Sequence, residues 1–325
     1  MRAAAVFLSL LSTISPVIGA TRNQSAPAGR IALAGFTGNA ATLASRVVVE
    51  RLTNDTRISM IEPSLAGAAI KGMRYDGSIN LSLEDARRLG AAIGCDFFIV
   101  GRAELVPRSG AAERQFVEAL IGIFIVDARR GSLVRFDFIS LRAADDESAI
   151  QQATADLERR VPGYVEDLMR WTTGVKQTGM EDGDAESVED IPEPNSPREE
   201  GFDPPVFTNR VRPVYTEEAD RADISATVEA RVVLQSNGAI GKVRIVKWAG
   251  YGLDEAAVQA IRQLKFTPAT RDGKQIGVRA LIRYNFRRTR VADPIPAEPE
   301  KKAQPPERDL RQIFKPKWRP PGAPE

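Results

Sequence analysis

The chain has 325 residues, of which 43% are hydrophobic and 27% charged, with a formal net charge of +2. That is enough apolar material for about two packed domains, and too little net charge to argue for nucleic acid as a partner. There is no histidine, and Cys95 is the one cysteine. Histidine-based acid/base catalysis, Ser-His-Asp and Cys-His nucleophiles, intramolecular disulfides and thiolate clusters are therefore excluded. No cofactor and no metal site is expected.

Met1 and Arg2 begin a short positive start, followed by an apolar run from Ala3 to Ile14 and the small-residue ending Gly19-Ala20. This pattern predicts a secretory signal peptide over residues 1–20, cut near Ala20. The apolar run is shorter than the ~20 residues a spanning helix needs. The mature chain is expected to be soluble in the periplasm. The alternative is an uncleaved anchor that holds it on the periplasmic side of the inner membrane.

Residues 30–172 read as an α/β domain with a mixed sheet. Ile31–Phe36 and Ile58–Ile61 are short strands around a helix over Ala40–Leu52, and Pro63 stops the second strand. Ser82-Leu-Glu-Asp85 is a capping-box-like start for a helix with Ala86, Leu89 and Ile93 on one face. Gly94 ends that helix, and Phe97–Val106 follows as a strand. Phe116–Asp127 and Leu133–Leu141 flank the turn at residues 128–131 as a hairpin. Glu147–Trp171 closes the domain as a long helix. Asp145, Asp146 and Glu147 at its start suit the helix dipole better than a metal site.

Residues 173–204 read as a disordered acidic linker. Within 177–204, ten carboxylates face one basic residue, Arg198, and Pro192, Pro194 and Pro197 stiffen the segment. Such a stretch buries too little apolar surface to fold, and its like charges extend it.

Residues 205–288 read as a small β-β-α-β domain, a three-stranded antiparallel sheet packed by one helix. In Ser225–Leu234 the apolar Val228, Ala230, Val232 and Leu234 alternate with Thr227, Glu229 and Arg231. Asn237-Gly238 signals a hairpin turn into Ala239–Lys247. A helical stripe of Leu253, Ala257, Ile261 and Leu264 follows, then the turn Asp272-Gly273 and a last strand over Gln275–Arg287. Residues 289–325 are a proline-rich tail, expected to be disordered. The overall class is α+β.

The specific stretch is Gly250-Tyr-Gly-Leu-Asp-Glu-Ala-Ala257, with Lys265-Phe-Thr-Pro-Ala269, Asp272-Gly-Lys274 and the ending Tyr284-Asn285-Phe286. In order and spacing it resembles the C-terminal domain of the TonB family. That resemblance implies a periplasmic, non-enzymatic module that binds outer-membrane receptors by taking up a receptor segment as an extra strand. It makes Gln275–Arg287 the candidate edge, with Gln275, Val278, Arg279, Leu281, Arg283, Asn285 and Arg287 as contact residues. The family's Gln-Pro-x-Tyr-Pro step appears as Arg212-Pro213-Val214-Tyr215-Thr216, which adds Arg212, Pro213 and Tyr215. A homodimer through strands is a further implication. A weaker resemblance links Leu89–Gly101 to envelope α/β domains of the TolB N-terminal and CsgG-like kind. Cys95 within it reads as a small buried residue.

The expectation is thus a periplasmic TonB-family protein that docks an outer-membrane or other envelope partner in transport across the envelope. One rival is a membrane-anchored TonB energy transducer. The family's true N-terminal anchor and long proline-rich spacer are not matched here. Other rivals are a structural envelope protein without edge binding, and an enzyme using acidic pairs such as Asp145/Asp146 or Glu217/Glu218. Adjacent residues do not face each other across a cleft, so no catalytic residue is assigned.

Overall fold

The computed structural model describes residues 29–109, 115–177, 188–193 and 196–288. The segments expected to be a signal peptide and a disordered tail lie outside the described residues. In the N-terminal part, β1 (Arg30–Thr37), α1 (Ala41–Thr53), β2 (Ser59–Met60), α2 (Pro63–Gly72) and α3 (Leu83–Ile93) lead to three long strands. These are β3 (Phe97–Ser109), β4 (Gln115–Asp127) and β5 (Leu133–Ala143), followed by the long helix α4 (Asp146–Gln177). The sheet order is β2-β1-β3-β4-β5. β1 pairs parallel with β2 and β3, and β3, β4 and β5 pair antiparallel, so the sheet is mixed.

α2 is a helix that the sequence reading leaves out. Pro63 stands in its first turn, where a missing N–H costs nothing, and so it starts a helix as well as stopping a strand. α3 begins as expected: the Ser82 hydroxyl accepts the Asp85 N–H at 3.1 Å, and Gly94 ends the helix at φ 76°.

One face of this sheet is covered by α1 and α4. Ala149, Ala153, Leu157, Val161 and Leu168 form a buried stripe on α4 against Ile121, Ile123 and Ile125 of β4. Tyr164 on the same helix donates to Asp137 at 2.8 Å, and Arg160 bonds the same carboxylate at 3.0 Å. β4 itself is buried without a break from Val117 to Asp127. Its second face is therefore also covered, by α3 together with the C-terminal module.

That module contains α5 (Glu217–Arg221), β9 (Ala226–Leu234), β10 (Ile240–Lys247) and α6 (Leu253–Arg262), and ends on β14 (Val278–Phe286). Short strands precede and join these: β6 (Glu189–Asp190), β7 (Phe202–Asp203), β8 (Val206–Phe207), β11 (Phe266–Thr267), β12 (Ala269–Arg271) and β13 (Lys274–Ile276). The main sheet runs β10-β9-β14-β6. β10, β9 and β14 are the three antiparallel strands expected, and β6 adds a fourth, parallel to β14. The linker thus contributes strands in its described part, where the sequence expects disorder. The last strand is also shorter than expected, because it breaks at Gly277. Gln275 sits on β13, opposite Thr270 of β12.

The two modules share a core. The loop between β10 and α6 inserts Trp248 and Tyr251, 2% and 1% exposed, onto Phe124, Phe136 and Phe138 of the N-terminal sheet. Gly250 sits at φ 70°, and a Cβ there would meet Phe124 at 2.6 Å. Glycine is thus required twice over, by backbone sign and by space. Asn80 ties the same junction: its amide donates to the carbonyls of Thr227 (2.9 Å) and Trp248 (2.7 Å), and its carbonyl accepts the Thr227 N–H (3.0 Å). The two modules thus meet directly, although the acidic segment between them is expected to be extended. The physical reason is the hydrophobic effect: the aromatic face of β4 and β5 needs cover, and Trp248 and Tyr251 supply it.

Candidate partner-binding edge of the C-terminal module

β14 pairs with β9 along its whole length, from Val278 opposite Leu234 to Phe286 opposite Ala226. On its other side β6 covers only Val278 and Arg279. The Gly277 carbonyl accepts the Glu189 N–H at 3.0 Å, so the polar backbone groups of Gly277 point toward β6. Successive residues of a strand point these groups to alternate sides. Leu281, Arg283 and Asn285 therefore direct N–H and C=O away from β9, where no further strand lies among the described residues. Ala280, Ile282 and Tyr284 use theirs within the sheet.

Side chains divide differently. Val278, Ala280 and Phe286 are buried toward the module's interior, whereas Leu281 is 57% exposed on the outer face. That outer face is held by rungs to β9. Arg283 meets Glu229 at 2.8 Å and Asn285 accepts from Thr227 at 2.9 Å, each pair directly opposite in register. Arg231 stands opposite Leu281.

The sequence-predicted contact residues separate into three groups. Val278, Arg279, Leu281, Arg283 and Asn285 lie together on β14, and Arg287 follows directly after it. Arg212, Pro213 and Tyr215 lie before α5. α5 itself is tied to the segment after β14, where Arg288 bonds Asp220 at 2.9 Å. Tyr215 is turned inward: its hydroxyl donates to the Ile224 carbonyl at 2.7 Å, and burial foremost pushes its pKa up. Gln275 is away from the edge, on β13. The sequence reading missed Glu189 and Asp190, which sit on the edge itself. No local signal marks them, since the pairing of β6 with β14 joins residues far apart in the chain and the linker's acidic composition covers it.

The acidic pairs weighed for catalysis have other partners. Asp145 accepts the Ser148 N–H at 2.8 Å at the start of α4, and these bonds hold its carboxyl below the usual range. Glu217 pairs with Arg221 at 2.5 Å. Burial pushes the Cys95 thiol up to about 12, away from thiolate reactivity. Among the described residues no helix is long and apolar enough to cross a membrane.

The C-terminal module is a small, largely antiparallel sheet backed by one helix, with part of its last strand unpaired on one side among the described residues. Residues 211–287 match the family model described as the Gram-negative bacterial TonB protein C-terminal, so the chain carries a domain of that family. This is an envelope family without catalytic chemistry, whose members interact with envelope and outer-membrane proteins. No curated protein matches the chain. Among solved structures, a hypothetical protein of Chlamydia trachomatis aligns at 14% identity over 42% of this chain and 97% of its own, with a TM-score of 0.31. A lipoprotein of Neisseria meningitidis aligns at 11% identity over 41% and 98%, with a TM-score of 0.29. The C-terminal domain of LpoB from Salmonella enterica aligns at 9% identity over 37% and 86%, with a TM-score of 0.26. At these scores the likeness carries no functional weight.

Proposed function

We propose that this is an exported, non-enzymatic periplasmic protein that docks an extended segment of an outer-membrane or other envelope protein by strand addition to β14, in transport across the envelope. The observation that supports it is the run of outward backbone groups at Leu281, Arg283 and Asn285, on a strand fully paired on its other side. Strand addition draws affinity from such groups, and side chains set the choice of partner.

Proline scanning separates edge binding from folding. Proline lacks an N–H, and in sheets it is tolerated where that N–H would face solvent. Arg283→Pro removes an outward donor and should leave the β9 ladder standing. Ile282→Pro removes an inward one and should destabilise the module. The expected result is that Arg283→Pro keeps near-native thermal unfolding yet abolishes in-cell crosslinks from a photo-reactive residue at Leu281 to its envelope partner. Crosslinks that persist unchanged in a folded Arg283→Pro chain would overturn the reading. Mass spectrometry of the mature N-terminus tests export: a start near Thr21 is expected, and a start at Met1 in the membrane fraction favours the anchored transducer.

A further inference from the structure

The β14 edge already has a short occupant, and the occupant's chemistry is informative. β6 lies parallel to β14 with Glu189 opposite Val278 and Asp190 opposite Arg279. The backbone bond from Glu189 to Gly277 is joined by two ion pairs, Arg271 to Glu189 at 2.8 Å and Arg279 to Asp190 at 3.3 Å. The Glu189 and Asp190 side chains are 41% and 76% exposed, so solvent weakens both pairs. A strand of two residues is also short against the usual five or six. β6 is therefore a weak hold on the edge. Pairing ends at Asp190, two residues before Pro192.

From Arg279, opposite β6, the outer face continues to Leu281 and Arg283, with Arg231 opposite Leu281 on β9. A strand laid along the edge places every second side chain on that face. Its outward positions would then lie beside Arg279, Leu281 and Arg283 in turn. Arg283 already bonds Glu229, but a guanidinium has five donors and can take a second carboxylate. Asp190 beside Arg279 is the first of these positions as the chain itself fills it.

Resting on the strand-addition reading, we propose that the β14 edge selects an extended peptide with a carboxylate, an apolar side chain and a carboxylate at alternate positions. Glu189–Asp190 is the internal stand-in that this peptide displaces.

The test uses the full chain and three labelled peptides: Thr-Asp-Thr-Leu-Thr-Asp-Thr and its versions with asparagine or lysine for aspartate. Binding is read by fluorescence anisotropy, and its place by slowed hydrogen exchange at the amides of Leu281, Arg283 and Asn285. The acidic peptide should bind at least about tenfold tighter than the lysine peptide, a gap of about 1.4 kcal/mol. That gap should shrink as salt rises. Replacing Glu189 and Asp190 by lysine should tighten the acidic peptide by roughly fivefold, because the competitor is lost and an affinity is scaled by the fraction of chain competent to bind. Arg279→Glu with Arg283→Glu should reverse the order of the peptides. If that variant does not fold, the three peptides on the unaltered chain decide the matter. Edge protection that is equal for all three charges, or an affinity unmoved by the β6 substitutions, overturns this inference and leaves strand addition standing. Failure of every peptide to slow exchange at the edge, in the unaltered chain and in the β6 variant, overturns strand addition itself.

Discussion

Tyr251 carries more of this structure than its place in a family signature suggests. It sits at φ 53°, an uncommon backbone for a bulky residue, between Gly250 and Gly252, which share the left-handed sign. Its ring contacts those of Phe124, Phe136 and Phe138 with centroids 5.9, 4.7 and 5.3 Å away. Tyr251→Ala would leave a cavity at the junction of both modules and should cost about 3–5 kcal/mol, the usual range for deleting a buried aromatic. Urea unfolding checks this, with Tyr251→Phe as the control that keeps the ring; a loss below about 1 kcal/mol for the alanine variant would show that the ring is not packed as described. Asp254 is the titrating group of the same loop. Burial foremost pushes its pKa up to about 6, against the pull of two N–H bonds from Ala249 and Gly250 at 2.9 Å. A carboxyl with a raised native pKa favours folding most when protonated, so its contribution is full below its ordinary value of 3.8 and is lost as pH rises through about 6. A shift of this size is worth on the order of 3 kcal/mol. Asp254→Asn should flatten the fall in stability between those two pH values, as read by urea midpoints across the range. A fall of the same slope in both chains would mean that another group titrates there.

At the level of elements, the parts with strong periodicity were legible in the sequence. α3 announced itself by Ser82 and Gly94, and β9 by its clean alternation, because local chemistry decides both. α2 was not legible, since Ala66 is its one buried residue and no apolar stripe marks it. The last strand was read as continuous through Gly277, whereas the break there sends Gln275 into a different sheet. Gly277 is the one residue that marks the break, and the apolar alternation that continues on both sides of it masks that signal. β4 held a clue that concerns the whole molecule: Leu120, Ile121, Ile123, Phe124, Ile125 and Val126 leave almost no polar face, as expected for a strand covered on both sides. The candidate edge was legible through the family pattern, and its partial cover by β6 was not, because a two-residue pairing over a distance of some ninety residues leaves no local trace.

The shared core makes a claim about the whole chain. Trp248, Ala249, Tyr251 and Leu253 of one module and Phe98, Phe124, Val126 and Leu89 of the other belong to one buried cluster. Packed side chains therefore connect the two modules directly, in addition to the chain between them. It follows that the modules should unfold together. Two tryptophans report on them separately. Trp171 on α4 donates to Asp127 at 2.9 Å, within the N-terminal module. Trp248, at the junction, donates to the Gly131 carbonyl at 3.2 Å. In a Trp318→Phe background, further replacing Trp248 by phenylalanine leaves Trp171 as reporter of the N-terminal module, and replacing Trp171 leaves Trp248 as reporter of the junction. Within each of these two chains, circular dichroism and tryptophan fluorescence should trace one urea midpoint, whatever the stability change that the variant itself brings. Separate transitions within one chain would instead show each module standing alone with its half of the aromatic face in water.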